Sequence, residues 1–299
     1  MRLDKALLTS LRQALCLPSF RFLCQLLLTS LLFFNARSFP LVWHVRILRH
    51  LLMRSVRTRL GLTPPPSSVK NNPHTVHNPF EAQSLYKGWA GPDDCDFLFH
   101  LSNSSYAKNL DLARAEICST VMAGIMQEGG WMPLAGAYYL FISELPMFSR
   151  YEIRSRLGSW DDKWIYLVSE FVTFPTSSVS GRDTKTTGIN PVTKYQRRSV
   201  RSDGTVLHCV AISVYCFKIG RITVPPRVAL SICGFGINKH DEALISSKRK
   251  EGTMRHYLEA GWRNEGGCDL HEFETQRLGS LEWCRKLTEG IREAIDALE

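Results

Sequence analysis

The hydrophobic period of this chain changes once, at Gly129–Gly130, and that change limits the fold more than any other feature. Upstream, Leu110, Ala113, Ile117, Val121 and Ile125 recur at three-to-four spacing. They predict one helix over Ser105–Glu128, about six turns long, with a single apolar face. The paired glycines end it. Downstream the period is two: Ala135–Glu144, Tyr151–Leu157, Trp164–Phe174 and Val206–Phe217 are rich in aromatic and β-branched residues and read as strands. Gly158–Asp162 reads as the hairpin turn between the second and third. Arg221–Ser231 follows, broken by Pro225–Pro226. One long helix followed by antiparallel strands predicts an α+β fold, a sheet wrapped over a single helix.

Four regions are expected from composition. Residues 1–62 form a hydrophobic basic leader, with ten Lys and Arg against one acid, Asp4, so the whole formal charge of +9 resides there. The neutral remainder argues against nucleic acid as a partner and for a membrane surface or an import machine. Phe22–Phe34 would rise about 20 Å as a helix, short of the roughly 30 Å hydrocarbon core. Pro40–Met53, with Arg46 and Arg49, reads as an amphipathic interfacial helix. The expectation is a membrane anchor or re-entrant segment on an intracellular, endoplasmic-reticulum-type membrane. A mitochondrial presequence and a helix packed on the body are the alternatives.

Residues 63–84 form a Pro/Asn-rich linker, whose His74 and His77 read as a solvated pair without a third metal ligand. The body spans 85–235 and carries a loop insertion, 175–204, bearing Arg182, Lys185, Lys194, Arg197, Arg198 and Arg201. That loop is either a solvated insertion or a basic flap for an anionic partner, such as coenzyme A phosphates or an acidic carrier domain. Residues 236–299 form a C-terminal helical extension, with a helix over Leu270–Leu298. Nine scattered cysteines without a CxxC pair point to a reducing compartment and to neither a zinc ribbon nor a disulfide scaffold.

Chemistry concentrates in DDCDFLFHLSNSSYAKNLDLARAEI, residues 93–117. Asp96, His100, Asn103 and Tyr106 fall at four-, three- and three-residue intervals on the entry to the predicted helix. Asp, Ser and Asn before a helix are ordinary caps. The same position also offers free N–H groups and a partial positive charge, suited to an oxyanion or a polarised thioester carbonyl. An Asp there can act as nucleophile or as the base that orients water, with His100 and Asn103 holding the acid or the substrate. No GxSxG elbow, phosphate-binding glycine loop or HExxH motif competes. Asp111 and Arg114 read as a surface helix pair. Glu116 reads as a solvated helix acid, with a catalytic role the sharper alternative.

These residues resemble the Asp-x3-His-x-Asn-Asn-x2-Tyr signature of hotdog-fold acyl thioesterases. DDCDFLFHLSNSSYAKNLDLAR and ELPMFSRYEIRSRLGSWDDKWIYLVSEFV are similar to the thioesterase superfamily member 6-like branch, including fungal natural-product-cluster thioesterases. The likeness covers residues 90–235, and Ser102 departs from it at the first asparagine. The resemblance implies a hotdog fold, a homodimer, and hydrolysis of an acyl, polyketide or lipopeptide-precursor thioester on coenzyme A or a carrier protein. A polyketide or peptide synthase would be the partner, in fungal secondary metabolism. It makes Asp96, His100 and Asn103 catalytic and Tyr106 substrate-binding, with no metal or redox cofactor. A non-catalytic acyl-thioester binding or scaffold protein and a hotdog dehydratase or cyclase are the rival readings. The last needs a His–Asp or His–Glu pair.

Overall fold

The computed structural model describes residues 18–61, 78–174, 200–236, 239–265 and 270–296. The first seventeen residues, His74 and His77, and most of the 175–204 loop lie outside it. The leader holds two helices, α1 (Pro18–Phe34) and α2 (Val42–Arg59), joined through a 3-10 turn at Ala36–Ser38. The body then runs β1 (Gln83–Trp89), α3 (Asn103–Thr120), α4 (Ala123–Gln127), β2 (Gly130–Trp131), β3 (Leu134–Phe141), β4 (Arg150–Trp160), β5 (Ile165–Thr173), β6 (Val206–Tyr215), β7 (Phe217–Ile219) and β8 (Ile222–Val224). After them come α5 (Pro226–Ile232), α6 (Lys239–Glu251), three short helical pieces between Met254 and Glu265, and α7 (Glu274–Asp296).

Five strands form one antiparallel sheet in the order β1-β4-β5-β6-β3, and β2, β7 and β8 form a small second sheet. The sheet wraps α3, which is the α+β hotdog arrangement expected. The apolar stripe of α3 supplies Tyr106, Leu110 and Ala113 to a core with Tyr151, Ile153, Phe171, Cys209 and Ala211. Ile117, one turn further, joins a second core with Leu157, Trp160 and Ile165. The opposite face of the sheet is covered by α7: Leu281 and Cys284 pack with Tyr166 and Val214. Arg277 on α7 donates to the Trp160 carbonyl at 2.8 Å, and Ser159 donates back to the Arg277 carbonyl at 2.8 Å.

Three local expectations need correction. The predicted single helix breaks after Thr120, because α5 crosses there so closely that a Cβ on Gly124 would lie 2.5 Å from the Ile232 carbonyl oxygen. The β4–β5 turn falls at Asp161–Trp164 rather than at Gly158–Asp162. Gly158 instead sits in a bulge within β4, and Asp161 closes the turn by accepting from the N–H groups of Lys163 and Trp164. Pro225 and Pro226 start a helix, since proline suits a first helical turn, whose N–H groups have no partner.

The leader is packed on the body. Arg46 of α2 donates to the Tyr86 hydroxyl at 3.0 Å and to Asn109 Oδ1 of α3 at 3.4 Å. Arg37 donates to the Trp89 carbonyl at 3.2 Å and stacks its guanidinium over the Trp89 ring. By contrast α1 exposes its apolar side chains, among them Phe22, Leu27, Leu31 and Phe33. No helix among the described residues is long and apolar enough to cross a membrane.

Candidate active site

The site is built on the loop between β1 and α3. Pro92–Asp94 make one 3-10 turn, and Cys95 pairs with Leu101 in an antiparallel bridge that pinches residues 96–100 into a tip. Asp96 holds that tip together. Its Oδ1 accepts from the N–H of Leu98 at 2.9 Å and of His100 at 3.3 Å, while its own N–H donates to the His100 carbonyl. The reversal requires a positive φ at Phe99, +62°. The Asp96 carboxylate is solvent-exposed, and Oδ2 makes no hydrogen bond among the described residues.

The tip leans on a second loop. The Phe99 carbonyl accepts from Met147 N–H at 2.9 Å, and His100 Nε2 lies 3.3 Å from the Glu144 carboxylate. Ser102 is the N-cap of α3, accepting from Ser105 N–H at 3.3 Å. The residue that departs from the Asn-Asn signature is therefore the cap itself, and serine is among the best residues for that task. Asn103 occupies the first helical position and is exposed. Tyr106, the next turn along, is buried with its ring edge-on to Phe141 and Phe171. Burial first, then the neighbouring Cys209, Cys95 and Glu144, pushes its hydroxyl well above the ordinary phenol range. Asp96 and Asn103 are thus exposed, His100 is half-buried beside Glu144, and Tyr106 lies in the core.

Other groups near the tip are less legible in sequence. Asp94, two residues before Asp96, is fully buried. Its carboxylate meets Arg37 Nη2 at 3.1 Å and Lys108 Nζ at 2.5 Å, and its carbonyl accepts from Ser102 N–H. One acid thus ties leader, loop and helix together. Cys95 is no thiolate nucleophile: burial first, then Asp94, Asp96 and Asp93, pushes its thiol up to about 11.

His208, on β6, is a second histidine beside the motif. Its Nδ1 donates to the Glu144 carbonyl at 2.8 Å, and its Nε2 accepts from the Thr173 hydroxyl at 2.8 Å. Burial is the main cause that lowers its pKa from the ordinary histidine value. Arg114 is not a surface group either. It pairs with Asp111 at 2.8 Å but reaches Ser213 on β6 at 2.9 Å, pinning helix to sheet. Glu116 sits more than three turns along α3 from Asn103, away from the tip. No group of three or more potential ligands could hold a metal among the described residues.

An antiparallel sheet wrapped over helix α3 is the architecture of a hotdog domain. The sequence matches the thioesterase-like superfamily over residues 90–208, from the end of β1 into β6. Relatives include the probable thioesterase YBR096W of Saccharomyces cerevisiae, 30% identical over 67% of this chain and 70% of that protein. The probable thioesterase atnL of Emericella nidulans is 27% identical over 75% of each. Among solved structures, the 1,4-dihydroxy-2-naphthoyl-CoA thioesterase Slr0204 of Synechocystis is 12% identical, covering 52% of this chain and 100% of its own, with a TM-score of 0.35. The chain belongs to the thioesterase-like superfamily and is a thioester hydrolase of that family.

Proposed function

We propose that the site formed by Asp96, His100 and Asn103 hydrolyses an acyl thioester carried by coenzyme A or a carrier protein. The observation that carries this reading is the exposed Asp96 carboxylate, fixed by two main-chain N–H groups at the mouth of α3. Asp96 takes the proton from a water that attacks the thioester carbonyl carbon. The resulting oxyanion meets the N–H groups of Asn103 and Ser104, which at the start of α3 enter no main-chain hydrogen bond among the described residues. Collapse of the intermediate breaks the C–S bond, and the thiolate leaves with a proton returned from Asp96. His100, steadied by Glu144, orients the acyl carbonyl. Tyr106, with Phe141 and Phe171, makes the apolar wall beneath the acyl group.

Fungal natural-product biosynthesis, with a polyketide or peptide synthase as supplier of the thioester, is the pathway we favour; fungal thioesterases such as lcsJ of Purpureocillium lilacinum are among the relatives. A homodimer is favoured by the free edge of β3, where Leu134, Leu140 and Phe141 are exposed. Phe97, 87% exposed at the active-site tip, and Phe99 would be covered by the same partner. Anchoring at an intracellular, endoplasmic-reticulum-type membrane is favoured by the apolar surface of α1, a helix about 25 Å long that would lie in the interface rather than span it.

A second reading has one specific observation behind it: His100 and Glu144 form the His–Glu pair that a hotdog dehydratase or cyclase would use. Thiol release from acyl-coenzyme A and carrier-bound acyl substrates separates the two. A thioesterase depends chiefly on Asp96, and a dehydratase releases no thiol and depends chiefly on His100.

A further inference from the structure

Where the leader meets the body, a cleft of about 320 Å3 opens between α2, β1 and α3, lined by Arg46, Arg49, Leu85, Tyr86, Lys87 and Glu116. Three of these six side chains are cations and one is an acid. Arg46 donates to the neutral oxygens of Tyr86 and Asn109, so its charge is not cancelled by them. Among the described residues no carboxylate ion-pairs with Arg46 or Arg49. Lys87 reaches only Glu152, at a loose 3.8 Å, with its side chain 76% exposed. Leu85 and the Tyr86 ring give the cleft an apolar wall beside these charges.

We propose that this cleft binds the phosphate ester of an anionic ligand. Two guanidinium groups and one lysine line this concave space, and guanidinium forks match the oxygens of a phosphate. The apolar wall suits the glycerol or ribose next to such a phosphate. The volume is at the small end for ligand sites, enough for a headgroup or a phosphorylated sugar and not for an acyl chain. Two sources supply this chemistry. One is a phospholipid headgroup, since α1 and its exposed leucines precede α2 by only a short turn. The other is the free phosphate end of a coenzyme. The lipid source stands without the hydrolytic reading and the coenzyme source rests on it, and no residue of the Asp96 tip lines the cleft.

The test uses the full chain and two probes. One arm measures flotation with phosphatidylcholine vesicles, with and without phosphatidic acid; the other measures binding of adenosine 3′,5′-bisphosphate by calorimetry. Arg46 is left intact because it also fastens α2 to the body. The variant Arg49→Gln/Lys87→Gln should weaken binding to phosphatidic acid vesicles, to the bisphosphate, or to both by at least about tenfold. Its partition to pure phosphatidylcholine should stay unchanged. Loss in the vesicle arm alone assigns the cleft to a lipid headgroup, and loss in the calorimetric arm alone assigns it to a soluble phosphate. A control, Arg255→Gln/Lys286→Gln, removes two exposed cations elsewhere on the surface. The proposal is overturned if neither probe binds the parent, if the cleft variant binds both as well as the parent, or if the control weakens binding equally.

Discussion

Asp96 has two tasks at the residue scale, and they can be separated. Its Oδ1 holds the tip by accepting two N–H groups, and its charge is what the proposed chemistry uses. Asparagine keeps an acceptor oxygen at that place and loses the charge, so Asp96→Asn should keep the loop and the fold. Alanine loses both. His208 gives a prediction in pH. Its pKa is lowered in the folded protein by burial, so the unfolded chain binds more protons over the interval below the ordinary histidine value. Stability is therefore fully present above about pH 6.5 and is lost as pH falls toward the depressed folded value. Denaturant midpoints across that interval should decline, and His208→Gln should flatten the decline. An equal slope in the variant would mean another group is responsible.

Asp96, His100, Asn103 and Tyr106 could be proposed from the sequence because they sit close together along the chain. The sequence could not disclose Asp94 as the buried member of the pair, because alternation of Asp93, Asp94 and Asp96 looks the same in a linear reading. The partners that bury Asp94 come from opposite directions: Arg37 lies 57 positions upstream and Lys108 is on α3. His208 and Arg114 escaped for the same reason. His208 acts across a strand pairing, through Thr173, and Arg114 acts from helix to sheet, through Ser213; period-two alternation predicts the strands but neither the register nor the helix position over them.

At the element scale, helix α3 and four of the five strands, β3 to β6, were legible because tertiary packing reinforces what their periodicity already favours; β1 was not, since its first residues read as linker. The helix break at Val121 was not, since nothing local to α3 demands it; the close passage of α5 does. Gly124→Ala places a methyl against main chain that has little room to shift, and should cost about 1–3 kcal/mol, read as a lower denaturant midpoint with activity per folded molecule unchanged. The leader was read as a separate region, yet its second helix is fastened to the body. Arg37→Ala leaves buried Asp94 with Lys108 alone. The expected loss is about 3 kcal/mol, toward the low end for a severed buried pair because one cation remains. A stability equal to the parent's would mean water replaces Arg37 without cost.

At the scale of the whole molecule, a sheet with α3 on one face and α7 on the other leaves the β3 edge and the aromatic tip at 97–99 uncovered. If β3 pairs with its copy, Leu140→Lys should place like charges across the new interface and shift the protein toward monomer in analytical ultracentrifugation, and an unchanged mass distribution would remove β3 from the interface. The leader belongs in any such experiment, because deleting residues 1–62 would also strip Asp94 of Arg37.

The central claim is that the Asp96 tip is where a thioester is cleaved. The measurement that meets it most directly is thiol release by the full chain, with Asp96→Asn alongside, across acyl-coenzyme A and carrier-bound acyl substrates. Release by the parent that falls at least about a hundredfold in the variant, roughly 2.7 kcal/mol of barrier, with the circular dichroism spectrum unchanged, is the predicted result. Release that survives in Asp96→Asn, or is absent from the parent although it binds the substrates, would contradict it.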